Sequence, residues 1–300
     1  MKKKLLVTGA CGFVAGSVIA QAILDHDVYG VGQSKLTEDV DSLKYYPIDL
    51  RESKRFSEFF DQIRPDAVIH TAAISDIDFC QKNQELAKEV NVGVTRDLIR
   101  LCKEFKTRLV FCSTDTVFDG KKGLYVEQDQ PNPVNYYAET KVKCENLIKQ
   151  NLPNAVIARL ALVMGLPVLG KGNSFLAKTI EKLSIGESVQ FPSNEIRTPI
   201  DVITLGRALV ELAGNDFVGI IHLAGNDHLT RFEIAQRIAK RLGYSLDLIL
   251  PTNSSIMKGR VPRPSDVSLD NSKARHELDT PMMNLLEGLE LSLTFPKESA

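Results

Sequence analysis

No stretch of this chain is long and apolar enough to cross a bilayer as a helix, so a helical membrane protein is excluded. An excess of either charge is missing too. The net charge is −1 over 300 residues, which leaves no electrostatic case for nucleic acid or for an acidic membrane surface as partner. Metal-ligand spacing is absent. The five cysteines, Cys11, Cys80, Cys102, Cys112 and Cys144, are odd in number, scattered and without a CxxC, and the five histidines show no ligand pattern. Neither a disulfide frame nor a zinc site is expected, and the thiols are expected to be reduced in a cytoplasmic protein. There is no internal repeat and no low-complexity linker. The start of the chain, with Lys2-Lys3-Lys4, an apolar stretch and Ala20-Gln21-Ala22, resembles a secretory leader, but Thr8, Gly9 and Gly12 interrupt the apolar run. It is expected to be part of the fold.

What is present is ordinary for a globular protein, with 43% hydrophobic and 25% charged residues in a chain long enough for one large domain or two coupled ones. Short β-rich runs alternate with helical patterns through the first half, as in a parallel sheet covered on both faces. Strands are predicted before Gly9, at Val28–Val31, Tyr45–Ile48, Ala67–His70, Arg108–Cys112 and Ala155–Leu160. Helices are predicted over Ser17–Asp25, Ser53–Ile63, Gln84–Phe105 and Asn135–Gln150. The alternation breaks after Gly165, where Gly170, Gly172, Pro192 and Pro199 punctuate shorter elements. The predicted class is therefore α/β, a doubly wound parallel sheet of Rossmann type over residues 1–165 with a smaller substrate lobe over 166–300. Some elements between 200 and 240 (helix Val202–Ala213, strand Ile220–His222) are expected to return to the first domain, and Thr230–Leu242 is a further helix.

Two stretches carry chemistry. In the first, Lys4 to Gly16, an apolar run is followed at once by glycines three apart. Gly9 suits a tight turn, Gly12 a close backbone approach to phosphate, and Ala15 close packing of helix on strand, while the helix N-terminus offers N–H groups to an anion. Small residues also close ordinary βα turns, so this pattern leaves cofactor binding and plain structure both open. In the second, Tyr137 and Lys141 lie four apart on one helical face. An ammonium beside a phenol lowers the phenol's pKa and suits it to protonate a carbonyl oxygen. A solvated lysine over a half-buried tyrosine would have the same spacing. Ser113-Thr114-Asp115 ends the fifth strand, where ligands bind in such sheets and where a hydroxyl can reach the same carbonyl.

Together these residues resemble the extended short-chain dehydrogenase/reductase superfamily, nearest to the dTDP-4-dehydrorhamnose reductase group. The resemblance runs through the Thr8-Gly9-Ala10-Cys11-Gly12 turn, His70-Thr71-Ala72-Ala73, Val90-Asn91, Ser113-Thr114-Asp115 with Val117-Phe118-Asp119-Gly120, Tyr137 with Lys141, Arg159, Arg197-Thr198-Pro199 and Arg263-Pro264. It implies that Thr114, Tyr137 and Lys141 form a catalytic triad. Tyr137 would give the proton, Lys141 would hold the nicotinamide ribose and lower the tyrosine pKa, and Thr114 would orient the keto group. It implies cofactor contacts at Gly9, Cys11, Gly12, Phe13, Val14, Ser34, Lys35, Asp49, Leu50, Thr71, Ala72, Ala73 and Asn91, besides Tyr137 and Lys141.

After the second strand an acid would bond the ribose hydroxyls of NAD. Here Gly32-Gln33-Ser34-Lys35 offers no acid and one cation, which favours NADP(H) over NAD(H). Substrate candidates are Asp76 and Asp78, with Cys80 on the same loop, then Thr114, Asp115, Arg197 and Arg263, with Arg260 as a further cation. Guanidinium forks match a nucleotide diphosphate, although each arginine alone also suits a surface or structural role. The activity implied is reduction of a 4-keto nucleotide sugar, with a homodimer by analogy. Two alternatives stay open: an epimerase or dehydratase with bound NAD, for which Asp115 beside Thr114 speaks, and a cofactor-binding regulatory subunit such as the β subunit of methionine adenosyltransferase.

Overall fold

A computed structural model of the chain describes residues 2–36, 40–169, 174–257 and 259–296; Gly170 and Gly172 fall outside them. The elements of the first half are β1 (Lys4–Thr8), α1 (Phe13–Ala22), β2 (Asp27–Gly32), β3 (Leu43–Pro47), α2 (Ser53–Ile63), β4 (Ala67–His70), α3 (Ile77–Lys82), α4 (Gln84–Lys88), a π-helical turn (Glu89–Gly93), α5 (Val94–Phe105), β5 (Arg108–Thr114), α6 (Tyr136–Asn151) and β6 (Val156–Leu160). Then follow β7 (Val163–Met164), α7 (Phe175–Ser184), β8 (Val189–Pro192), β9 (Ile196–Arg197), β10 (Ile200–Asp201), α8 (Val202–Gly214), β11 (Gly219–Leu223), β12 (Leu229–Thr230), α9 (Arg231–Arg241), β13 (Ile249–Thr252), α10 (Ser272–Glu277) and α11 (Leu285–Thr294).

Seven strands make one sheet in the order β11-β6-β5-β4-β1-β2-β3, with every neighbouring pair parallel. This is the Rossmann-type doubly wound order with β11 added at the edge. Successive strand residues point to opposite faces. Leu5 and Val7 therefore pack with Val18, Ile19, Leu205 and Leu209 from α1 and α8, whereas Leu6 packs with Phe56 and Phe60 of α2 and Leu98 of α5. Burying each such side chain contributes about 1.5–3 kcal/mol, so strands buried on both faces read as continuous apolar runs. The helix α8 lies on α1 so closely that a Cβ at Gly206 would meet the Ser17 hydroxyl at 2.5 Å.

Several sequence expectations need correction. Helix α1 starts at Phe13, four residues before the expected Ser17. Asp76, Asp78 and Cys80 were expected on a loop, but Asp76 caps α3 by accepting the Phe79 N–H at 2.8 Å, and Asp78 and Cys80 sit within that helix. The expected helix from Gln84 to Phe105 runs on unbroken but passes through the π turn at Glu89–Gly93. That turn inserts an extra residue and aims Asn91 inward. Its side chain takes both backbone groups of Ile74 (N–H to Oδ1 2.8 Å, Nδ2 to carbonyl 3.1 Å) and reaches Thr140 Oγ1 at 3.0 Å. A half-buried backbone stretch after β4 thus has hydrogen bonds met by one side chain.

Candidate active site

The carboxyl ends of β1, β4, β5 and β6 open into a cavity of about 860 Å³, whose walls include Gly12, Phe13, Thr71, Ser75, Thr114, Tyr137 and Lys141. A second cleft of about 510 Å³ continues from it past Cys11, Gly12, Thr71 and Ala73 to Gln33, Ser34, Asp49 and Leu50. Both clefts share the glycine turn. Gly9 has φ +69°, and a Cβ there would stand 2.8 Å from Ala72 Cα. Only glycine meets both the left-handed conformation and the close approach. Gly12 caps α1 with no side-chain hydrogen bond, so the first N–H groups of that helix face the shared opening. This is a cradle of donors at a dipole's positive end, suited to a pyrophosphate. Cys11 donates its thiol to the Ser34 carbonyl at 3.4 Å, and Thr71 Oγ1 donates to the Thr8 carbonyl at 2.6 Å, which ties the turn to the ends of β2 and β4. Lys35, the expected cation, is exposed.

The structure brings Thr114, Tyr137 and Lys141 to one wall of the larger cavity. Thr114 ends β5, while Tyr137 and Lys141 ride on the first turns of α6, whose N-cap Asn135 accepts the Ala138 N–H at 3.0 Å. Thr140 Oγ1 bonds the Tyr137 carbonyl at 2.6 Å and is itself met by Asn91, so the π turn steadies the tyrosine's own turn of helix. The electrostatics differ from expectation. Burial pushes the Tyr137 phenol well above its ordinary value, the Asp115 carboxylate adds to that, and a hydrogen bond with Thr114 works the other way. Lys141 does not meet the phenol: its ammonium donates to the Cys112 carbonyl at 2.8 Å and lies 4.7 Å from the centre of the Phe111 ring, and burial lowers its pKa. Burial therefore favours the protonated phenol at Tyr137. His70 is a packed residue between Thr8 Oγ1 (2.7 Å) and Thr95 Oγ1 (3.2 Å), and burial and Lys141 push its pKa down to about 3.

Asp115 lines the same cavity with its carboxyl pushed up to about 6 by burial, against the pull of Arg197 at 4.0 Å. The expected diphosphate arginines divide. Arg197 is buried and donates to the carbonyls of Ile196 (2.6 Å), Ser265 (3.0 Å) and Pro264 (3.2 Å). Arg263 and Asp78, both taken as substrate candidates, are paired with each other in a fork of 3.0 and 2.7 Å across 185 positions of sequence. Asp78 also accepts the Val261 N–H at 2.7 Å, so it clamps the 261–263 segment onto α3. Arg197, Asp78 and Arg263 therefore hold the lobe over the cavity. Gly120, in the run Val117 to Gly120, does likewise: its φ is +78° and a Cβ there would stand 2.5 Å from Ser265 N.

Sequence reasoning passed over Glu195 and Arg231. Glu195 is fully buried among Arg260 (2.5 Å), Arg197 (3.5 Å) and Arg231 (3.7 Å). Burial opposes its charge, but the three guanidiniums outweigh burial and hold the carboxyl below its usual range. Arg231 is brought down to about 10 by burial and by its cationic neighbours. Arg231 and Arg260 line a cleft of about 290 Å³ with Phe175 and Lys178, which also belong to the wall of the main cavity. The signal available in sequence was weak, since scattered arginines read singly as surface residues.

The chain is similar to several proteins of known description. A probable low-salt glycan biosynthesis reductase of Haloferax volcanii is 28% identical over 91% of this chain and 91% of its own. The β subunit of methionine adenosyltransferase 2 from Rattus norvegicus is 26% identical over 90% of this chain and 81% of its own. The crystal structure of a hypothetical dTDP-4-dehydrorhamnose reductase from Sulfolobus tokodaii superimposes with a TM-score of 0.84 at 30% identity, covering 96% of this chain and 99% of that one. The model of the RmlD substrate binding domain matches residues 3–295, nearly the whole length, and the chain belongs to that family.

Proposed function

We propose that the protein is an NADPH-dependent reductase of a 4-keto nucleotide sugar. The observation that carries this is the meeting of Thr114, Tyr137 and Lys141 with the glycine turn on one cavity. The donors at the start of α1 and the space next to Gly9 and Gly12 fit a dinucleotide's pyrophosphate, and Asp49 and Leu50 would border its adenine. Bound there, a reduced nicotinamide supplies the hydride. The chain supplies the rest: Thr114 and Tyr137 direct two hydroxyls at the carbonyl oxygen, Tyr137 gives its proton as the alcohol forms, and Lys141 stands ready for the ribose. Three arginines around one carboxylate leave surplus positive charge beside the cavity, the complement of a diphosphate. On this reading residues 1–165 with α8 and β11 hold the cofactor, and most of 166–300 holds the sugar nucleotide.

The test is to mix the purified protein with NADPH and a panel of 4-keto nucleotide sugars and follow loss of dihydronicotinamide absorbance. Turnover with at least one sugar, lowered about 10²–10⁴-fold in Tyr137→Phe with cofactor Kd unchanged, is expected. No turnover on any sugar, with Tyr137→Phe like wild type in every assay, overturns it. The likeness to a methionine adenosyltransferase subunit favours a second reading, a cofactor-binding partner of another enzyme. Cofactor binding without turnover, together with a stable hetero-complex, would establish that one.

A further inference from the structure

We infer that Arg51, not Lys35, selects the phosphorylated cofactor by taking its 2′-phosphate; this rests on the NADPH reading above. Arg51 stands on the wall of the 510 Å³ cleft beside Gln33, Ser34, Asp49 and Leu50, and Lys35 is not among the described residues of that wall. Its orientation is built in. Arg51 Nη2 and Nε grip Asp49 at 2.6 and 3.1 Å, and Gln33 Nε2 reaches the same carboxylate at 3.1 Å. One carboxylate thus holds the side chains from the end of β2 and from the approach to α2 together at the mouth of the cleft. Across from them the Tyr45 hydroxyl donates to the Gly32 carbonyl at 3.0 Å and bonds the Ser34 carbonyl as well, which fixes the short loop where an adenosine ribose would lie.

The third guanidinium nitrogen is differently placed. Among the described residues Arg51 Nη1 has no hydrogen-bond partner: Glu89 lies 4.0 Å away on an exposed side chain, and Glu52 is a further carboxylate nearby. A pre-oriented fork with one edge anchored and the other turned to solvent suits a phosphate, and little rotamer freedom remains to be lost on binding. An unphosphorylated ribose offers that edge only a neutral hydroxyl, so the same contact would be worth much less. The absence of an acid after β2 removes the opposing preference for NADH.

The experiment titrates the full chain with NADPH, NADH, 2′,5′-ADP and 5′-AMP by calorimetry. Arg51→Gln should weaken NADPH and 2′,5′-ADP about tenfold or more, while NADH and 5′-AMP stay within about twofold. Arg55→Gln removes an equal charge from the exposed side of α2, so all four affinities should stay within about twofold. Three results overturn the inference: an unchanged NADPH/NADH ratio in Arg51→Gln, an equal loss of both cofactors, or a ratio that falls in Lys35→Ala instead. A wild type that binds NADH more tightly overturns the NADPH reading, and Arg51 with it. A wild type that prefers NADPH, with the ratio intact in Arg51→Gln, overturns Arg51 alone.

Discussion

Two fully buried carboxylates, Glu145 and Glu195, have opposite surroundings. Glu145 on α6 has both oxygens taken: Arg159 meets them at 3.0 and 2.8 Å, and the Ser113 hydroxyl adds a bond of 2.6 Å. Arg159 is itself fully enclosed, lies 5.0 Å from the Phe118 ring, and reaches toward the Glu127 carbonyl and His222. Lys149 adds an outer contact, 3.9 Å from Glu145 Oε2 on a half-exposed side chain, so Arg159 and Glu145 form an enclosed pair that locks β5 and β6 to α6. Glu195 instead faces three guanidiniums, its Oε2 has no hydrogen bond, and two of the arginines border a cleft. Charge balance, not burial, separates a structural pair from a site that invites an anion.

Removing one partner of the closed pair breaks the comparison most severely. Glu145→Ala strands the Arg159 guanidinium and should cost about 3–5 kcal/mol, read as a lower urea midpoint that millimolar pyrophosphate does not restore. A midpoint close to wild type would refute the structural assignment of the pair. Between the two centres stands Asp115, bonded to Thr114 on one side and paired with Arg197 on the other. Its folded pKa of about 6 exceeds the unfolded 3.8, so the native chain keeps a proton that the unfolded chain loses, and stability falls as pH rises through that window. The full penalty, on the order of 3 kcal/mol, persists above it. Urea melts of Asp115→Asn from pH 3.5 to 7 should lack this slope. Parallel curves for the two proteins would contradict the raised pKa.

Smaller effects sharpen the contrast. Glu195→Gln should lose about 2 kcal/mol, but pyrophosphate should recover much of it by filling the place of the missing charge. A thermal melt with and without the anion decides, and equal indifference of Glu145→Ala and Glu195→Gln to the anion would erase the distinction. Arg260→Gln should weaken a nucleoside diphosphate about tenfold and, because it removes the guanidinium bonded to buried Glu195, should also lower the unfolding free energy by about 1–3 kcal/mol. Calorimetric titration showing unaltered affinity would remove Arg260 from the anion site.

The same contrast explains what could be read from the chain. The sheet was legible because its strands are apolar runs closed by turn residues, and the placement of Thr114 at a strand end and of Tyr137 and Lys141 on one helical face because these are local facts. The π turn was not, since Val94, Leu98, Leu101 and Cys102 keep helical spacing and nothing marks the extra residue upstream. Strands of two residues such as β7, β9, β10 and β12 carry no period at all. The pairing of Asp78 with Arg263 and the ring around Glu195 join positions far apart in sequence, so their partners could not be named in advance; Asp78, Arg197, Arg260 and Arg263 read as ligand contacts, while Glu195 and Arg231 drew no reading.

The order of the sheet also bears on how the chain is made. Strand β6 lies between β5 and β11, yet β11 comes only after β7, α7, β8, β9, β10 and α8. On a ribosome releasing the chain from its N-terminus, the outer edge of Val156–Leu160 stays open until Gly219–Leu223 emerges, and unpaired apolar edges are where nascent chains associate wrongly. Truncations ending between the two strands should therefore aggregate, whereas those ending beyond Leu223 should close the edge.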